Sequence, residues 1–109
     1  MLYSEICSKA EYELVKMYAA ENPGIILAIG WHETHFGRIG AGREGYHLGY
    51  GYYSPGNGDG RFKGLENQIK GAYGMLKKYL KNFPNVSRET LIEFGINFWR
   101  PGFHRDGEN

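Results

Sequence analysis

Hydrophobic residues recur at helical spacing in four parts of the chain, and a glycine-rich stretch separates the first two from the last two. The first part opens with Ser8 and Glu11, a capping box in which each side chain can bond the backbone of the other residue. Apolar residues three or four positions apart follow it. This pattern predicts an amphipathic helix over about residues 8–20.

The second part is apolar on almost every side. Asn22 supplies an N-cap and Pro23 a first-turn proline, two signals typical of a helix start. The run IILAIGWHETHF follows, with few polar residues to form a solvent-facing stripe. We therefore predict a central buried helix that ends at Gly37, where glycine can adopt the left-handed conformation of a helix end.

Two further helices are predicted after the glycine-rich stretch. The third begins at Leu65 and ends before Pro84, and the fourth opens at Val86 and is halted by Pro101. Their inward-facing residues at helical spacing are Leu65, Ile69, Ala72, Tyr73, Leu76, Leu80, Leu91, Phe94 and Phe98.

The stretch over residues 37–64 contains ten glycines and the aromatic run of YHLGYGYY. So many glycines disfavour long helices and favour a short, irregular hairpin with open loops. The order of elements is then two helices, a glycine-rich lobe and two more helices. This order predicts a single, mainly helical α+β domain over residues 1–109.

Composition narrows the possible functions. A net charge of +1 gives no basic footprint for nucleic acid. No apolar run is long enough for membrane insertion, and the first residues do not have the pattern of a signal peptide. The lone Cys7 excludes an internal disulfide and is best interpreted as a buried thiol. Nine tyrosines exceed what so small a core usually hides, so some of them are expected in a ligand groove or on the rim of the core.

Glu33 is the main candidate for chemistry. Gly30, Ile29 and Ile26 precede it by three, four and seven positions, so we expect its side chain to share the apolar stripe of the second helix. Loss of water and the negative end of the helix dipole would both favour its protonated form. A protonated carboxyl group is what donation to a glycosidic oxygen requires. Position alone also allows a structural role, in which Glu33 accepts hydrogen bonds from loop N–H groups.

The segment ILAIGWHETHFGRIGAG resembles the catalytic helix of the lysozyme superfamily. In lytic transglycosylases, goose-type lysozymes and bacterial glucosaminidases, an apolar helix ends in Glu-Ser/Thr-x-x-Gly, which Glu33 to Gly37 match here. GREGYHLGYGYY resembles the aromatic stretch that follows in those families. FKGLENQIKGAYGMLKKYL resembles their next helix, and LIEFGINFWRPG their closing segment.

This resemblance implies a lysozyme-like fold and a peptidoglycan-cleaving activity, with chitin as a possible second substrate. The general acid would be Glu33, and the bond cleaved would be the β-1,4 linkage between N-acetylmuramic acid and N-acetylglucosamine. No cofactor is implied. The chain would act on the cell wall, outside the cell, in the periplasm or on a virion, as a monomer or a module of a larger protein. The implied substrate-binding residues are Thr34, Tyr46, His47, Tyr50, Tyr52, Tyr53 and Trp99.

Whether a second carboxylate takes part is open at this point. Hydrolysis with two carboxylates needs the second one across the cleft from the acid, and Glu44 and Asp59 are the candidates in the lobe. Each also has a structural interpretation. Glu44 can be a solvated charge on a loop, and Asp59 can stabilise a turn through its side chain. If neither reaches the sugar, Glu33 alone would suit an intramolecular attack by a substrate hydroxyl, the lytic transglycosylase route.

Two other functions are consistent with the residues. His32 and His35 flank Glu33 but stand three apart, whereas a zinc protease helix places its histidines four apart, so a zinc site would need His47 or His104 in a non-standard set. We therefore expect no metal. The second alternative is a glycan-binding or virion module that keeps the fold without catalysis.

Overall fold

The first helix begins where its capping box predicts. A computed structural model describes residues 3–79, in which α1 spans Lys9–Tyr18 and Ser8 is the N-cap. Ser8 Oγ accepts a hydrogen bond from Glu11 N at 3.1 Å, and Ser8 N donates to Glu11 Oε1 at 2.8 Å. A cap of this kind stabilises a helix by about 1 kcal/mol. A 3₁₀ turn, Tyr3–Glu5, precedes it.

The second helix, α2, spans Pro23–Thr34 and is the buried centre of the fold, as predicted. Asn22 caps it by accepting from Ile25 N at 3.3 Å. Its end differs from the prediction, because the chain already leaves helical geometry at His35 (φ 46°) and Phe36 (φ 54°), before Gly37 (φ 93°). Three successive left-handed residues turn the chain sharply into the lobe.

The lobe is irregular, as the glycines predict. It contains two 3₁₀ turns, Gly40–Glu44 and Gly60–Phe62, and a two-stranded antiparallel sheet. Strands β1 (Tyr52–Ser54) and β2 (Asn57–Gly58) pair Tyr52 with Gly58 and Ser54 with Asn57, with an irregularity between the two pairs.

The third helix, α3, spans Leu65–Tyr79 and packs on α1, which also packs on α2. The described residues thus form an α+β fold of three helices and one small sheet. Its largest fully buried side chains are Tyr12, Phe36, Ile6, Ile25, Ile26, Leu27, Ile69, Leu76, Gln68 and Val15. The predicted fourth helix from Val86, the end of the third before Pro84, and the groove residue Trp99 lie outside the described residues.

Cys7 belongs to this core, as predicted. It is a free thiol at 3% exposure. Burial, reinforced by the nearby Glu11 carboxylate, raises the pKa of the thiol to about 12. The reactive thiolate form is therefore disfavoured at neutral pH. Within residues 3–79, no helix has both the length and the apolar composition needed to cross a lipid bilayer.

Candidate functional site

Glu33 lies in the last turn of α2, and its side chain is exposed. This corrects the expectation that it shares the apolar stripe. The stripe instead runs through Leu27, Gly30 and Thr34, all of which are buried. Glu33 stands beside half-buried Ile29, at the edge where α2 emerges from the core. Burial by the surrounding protein therefore does not supply the desolvation expected from the sequence.

Glu33 does lie at the boundary between helix and lobe, as predicted. A Cβ atom placed on Gly49 would be 3.5 Å from Glu33 Oε2 and 3.9 Å from its Cβ and Cγ. Gly49 has φ +72°, a conformation that side-chain-bearing residues rarely adopt. The carboxyl group thus lies next to the lobe at Gly49, with room for about a methyl group between them, and its outer side is open to solvent.

Thr34, one of the predicted substrate-binding residues, holds the lobe to the end of α2. Its side chain is buried at 1% exposure, and Oγ1 donates to the His47 carbonyl oxygen at 2.5 Å. The same oxygen accepts from Gly37 N at 2.8 Å. Thr34 therefore ties the end of α2 both to the turn after it and to the lobe segment that leads to Gly49.

The lobe packs on this turn at glycines that leave no room for a side chain. A Cβ atom on Gly42 would touch Gly37 Cα, lie 2.6 Å from the Gly37 carbonyl carbon and 2.8 Å from Thr34 Cβ. Two of these contacts are with backbone, which cannot move aside by changing a rotamer. The 3₁₀ turn containing Gly42 is thus held directly against the end of α2.

We expect Gly42→Ala to lower the free energy of unfolding by about 1–3 kcal/mol, because overpacking against backbone forces the lobe and helix apart. Gly60→Ala is the matched control, since Gly60 also lies in a 3₁₀ turn but has nothing within 4 Å of its Cβ position. Urea denaturation of both variants checks this. Equal stabilities for the two would show that the close approach at Gly42 is not present in solution.

Gln68 was not anticipated as a site residue, yet it organises the lobe. It is fully buried on α3, and its Oε1 accepts from Leu48 N and from Tyr50 N, each at 3.0 Å. Its Nε2 donates to the Tyr50 carbonyl at 2.6 Å and to the Phe62 carbonyl at 2.7 Å. The sequence does hold a signal, because position 68 falls on the apolar face between Leu65 and Ala72, where a polar side chain requires partners.

The candidate tyrosines divide between the interior and the surface. Tyr46, a predicted ligand contact, is buried at 4% exposure with its ring under Gly58. Tyr50 is half-buried, with its ring 4.8 Å from that of Phe62 in an edge-on contact. Among the four predicted lobe tyrosines, Tyr53 is the one whose side chain is largely exposed, at 70% exposure. Tyr52 is half-buried and bonded to Glu44.

His47 is half-buried against Phe36, with their ring centroids 5.9 Å apart and edge-on. Burial lowers the pKa of His47, and the Glu11 carboxylate, 3.8 Å from its Nε2, opposes that shift. The contact links α1 to the lobe. His47 therefore packs between structural elements, and Nε2 is directed towards α1.

Both candidate second carboxylates are engaged within the lobe. Asp59 caps the 3₁₀ turn after it by accepting from Arg61 N at 3.0 Å, and its Oδ2 lies 2.6 Å from the Arg61 guanidinium. Hydrogen bonds from Arg61 lower the pKa of Asp59. Glu44 Oε2 accepts from the Tyr52 hydroxyl at 2.6 Å, and Oε1 accepts from Gly56 N at 2.8 Å.

These bonds hold Glu44 in its charged form. The Tyr52 hydroxyl, followed by Gly56 N, lowers the pKa of Glu44, and the Glu44 carboxylate raises the pKa of Tyr52 to about 12. Glu44 also lines a shallow depression on the lobe of about 390 Å³, with Tyr46 and Lys63. Glu33 is not one of its lining residues.

Tyr52→Phe should raise the pKa of Glu44 towards its ordinary value, because the strongest bond to the charged form is removed. Because the pKa of Glu44 is lower in the folded than in the unfolded chain, its ionised form stabilises the fold at neutral pH. This stability is lost as the pH falls through the folded-state pKa of Glu44. The variant should therefore lose less stability than the wild type on acidification. NMR titration of the Glu44 carboxyl carbon measures the shift. Exposed Tyr53→Phe is the control, and an unchanged titration in Tyr52→Phe would contradict the assignment.

Among residues 3–79, no group of three or more His, Cys, Asp and Glu side chains is placed to hold a metal ion. Of the two histidines flanking Glu33, His35 stacks on Trp31 with ring centroids 4.7 Å apart. His104 lies outside the part of the chain that the structure describes.

No family model, curated protein or solved structure matches this chain. Any assignment of function therefore depends on the residues and geometry described above.

Proposed function

We propose that this chain is a lysozyme-like enzyme that cleaves the β-1,4 glycan bond of peptidoglycan, with Glu33 as the general acid. The observation that carries the proposal is the setting of Glu33. It lies in the last turn of a buried helix, its carboxyl group lies next to Gly49 of the lobe, and its outer side is open to a ligand. The resemblance of Glu33-Thr34-His35-Phe36-Gly37 to the lysozyme-superfamily motif supports the same residue.

An exposed acid needs a source of desolvation, and the glycan itself can provide it. A sugar ring seated over Glu33 would exclude water from its open side, while Gly49 of the lobe lies next to the other. This exclusion of water would favour the protonated acid in the complex, from which the proton passes to the glycosidic oxygen as the bond to the sugar carbon breaks.

The surroundings of Glu44 and Asp59 favour the route in which Glu33 acts alone. Glu44 is bonded to Tyr52 and Gly56 and lines a depression that Glu33 does not line, and Asp59 is bonded to Arg61 within its own turn. In the single-carboxyl route a hydroxyl of the substrate attacks the sugar carbon and returns its proton to Glu33. The product then carries an anhydro end. Hydrolysis through one or two carboxyl groups is the other outcome.

Digestion of purified peptidoglycan followed by mass spectrometry tests the proposal. Cleaved fragments with an anhydro end would establish the transglycosylase route, and fragments heavier by one water would establish hydrolysis. If the chain binds the glycan but does not cleave it, the chain is a glycan-binding module of the same fold and not an enzyme. If the wild-type chain neither binds nor cleaves peptidoglycan or chitin oligomers, the glycan assignment is wrong.

A further inference from the structure

The buried amide of Gln68 uses its full hydrogen-bonding capacity on the backbone of the lobe. An amide oxygen accepts two bonds and an amide nitrogen donates two, and all four are made, at 2.6 to 3.0 Å. Three of them go to Leu48 and Tyr50, and the fourth goes to Phe62. A core position with this set of bonds specifies one backbone arrangement, because any other leaves buried polar groups unpaired.

Leu48 and Tyr50 flank Gly49. The bonds from Gln68 therefore hold the chain immediately before and after the residue that faces Glu33. On the other side, Thr34 Oγ1 holds the His47 carbonyl oxygen. Residues 47–50 are thus bonded to α3 through Gln68 and to α2 through Thr34, and Gly49 lies between the two residues that Gln68 holds.

A left-handed glycine is otherwise a point of flexibility. Gly49 has φ +72° and Gly51 φ +73°, and without a side chain their backbone can rotate easily. Gly49 N donates to the Tyr46 carbonyl oxygen at 3.0 Å, and the Gly49 carbonyl oxygen accepts from Tyr52 N at 3.4 Å. Both bonds lie within the same stretch of the lobe and do not tie it to a helix. The placement of this stretch next to Glu33 therefore depends on the side chains of α2 and α3 that bond to it.

We propose that Gln68 is a positioning residue, which sets the Gly49 backbone against the Glu33 carboxyl group and so fixes one wall of the glycan site. This inference rests on the proposed function and deepens it, because it assigns the geometry around the acid to a residue on a different helix. Gln68 acts through residues 48–50. An error of about 1 Å in such a wall can cost about a hundredfold in rate.

The test is Gln68→Glu, which keeps the shape of the side chain but removes both donors and places a negative charge next to the Tyr50 and Phe62 carbonyl oxygens. Asn67→Asp is the matched control. It makes the same amide-to-acid change one position earlier on α3, where the side chain is exposed and, within residues 3–79, donates a local bond to the Lys63 carbonyl oxygen.

Two readouts are needed. NMR of the labelled full chain follows the Gly49 amide and the Glu33 carboxyl carbon, and both signals should shift in Q68E and stay as wild type in N67D. In cleavage assays, kcat of Q68E should fall by about a hundredfold with KM changed less than threefold, while N67D keeps the wild-type values. A folded Q68E with unchanged Gly49 and Glu33 signals would overturn the proposal, as would an unchanged kcat.

Other results are also decisive. If Q68E does not fold, Gln68→Asn keeps the amide but shortens its reach, and the same signals and kcat are measured with the same expectations. In the wild type, the Leu48 and Tyr50 amide protons should exchange slowly with deuterium. Rapid exchange would contradict the hydrogen bonds that both amides donate to Gln68. If the wild type cleaves no glycan, the proposed function fails, but the NMR comparison still decides whether Gln68 positions Gly49 against Glu33.

Discussion

Replacing Glu33 with glutamine should lower the rate of peptidoglycan cleavage by about a thousandfold, within the range that general acid catalysis contributes. Glutamine has the size and shape of glutamate but carries no transferable acid proton. Because the Glu33 side chain is exposed, the free energy of unfolding should change by less than about 0.5 kcal/mol. Clearing of a cell-wall suspension and thermal unfolding measure the two quantities on the same preparation.

Glu13→Gln is the matched control for this variant, because Glu13 is also an exposed helical glutamate and its only described ion pair is with Lys16 on the same helix. It should retain wild-type cleavage. Glu33→Gln should still bind glycan oligomers, since most binding contacts do not depend on the acid. If Glu33→Gln retains more than about a tenth of the activity, a loss far below that expected of a general acid, Glu33 is not the catalytic residue.

Phe36→Ala should destabilise the fold by about 3–5 kcal/mol, the usual cost of removing a large buried aromatic ring. The ring is 1% exposed and fills the space above Gly30, where a Cβ atom would lie 2.5 Å from it. It also packs edge-on against His47. Its loss opens a cavity between the end of α2 and the lobe. Urea denaturation followed by tryptophan fluorescence gives the value.

A comparison of two variants separates packing from backbone strain at this position. Phe36 has φ 54°, which costs a residue with a side chain roughly 1–2 kcal/mol and costs glycine almost nothing. Phe36→Gly should therefore be less destabilising than Phe36→Ala by about 1 kcal/mol. Ile39→Ala, at an exposed site three residues later, should change stability by less than about 0.5 kcal/mol. Equal losses at positions 36 and 39 would contradict the buried placement of the ring.

Local signals in the sequence determined the helices. The capping box of Ser8 and Glu11, the Asn22-Pro23 start and the apolar spacing from Leu65 each act within one or two turns, so they needed no knowledge of distant contacts. The ten glycines of the lobe likewise predicted its irregular backbone. The position of Glu33 at the boundary of helix and lobe followed from the same order of elements.

Only the tertiary structure decided which side chains face the site. On a helix that is apolar nearly all round, hydrophobic periodicity does not determine which face is buried. The sequence therefore predicts a buried Glu33, whereas in the structure Thr34 is buried and Glu33 is exposed. Tyr46 and Tyr53 are the same residue type seven positions apart, yet one is buried and the other exposed. Three of the four bonds of Gln68 to the lobe span 18 to 20 positions of sequence, and such pairings are set by how the elements pack and not by any local pattern.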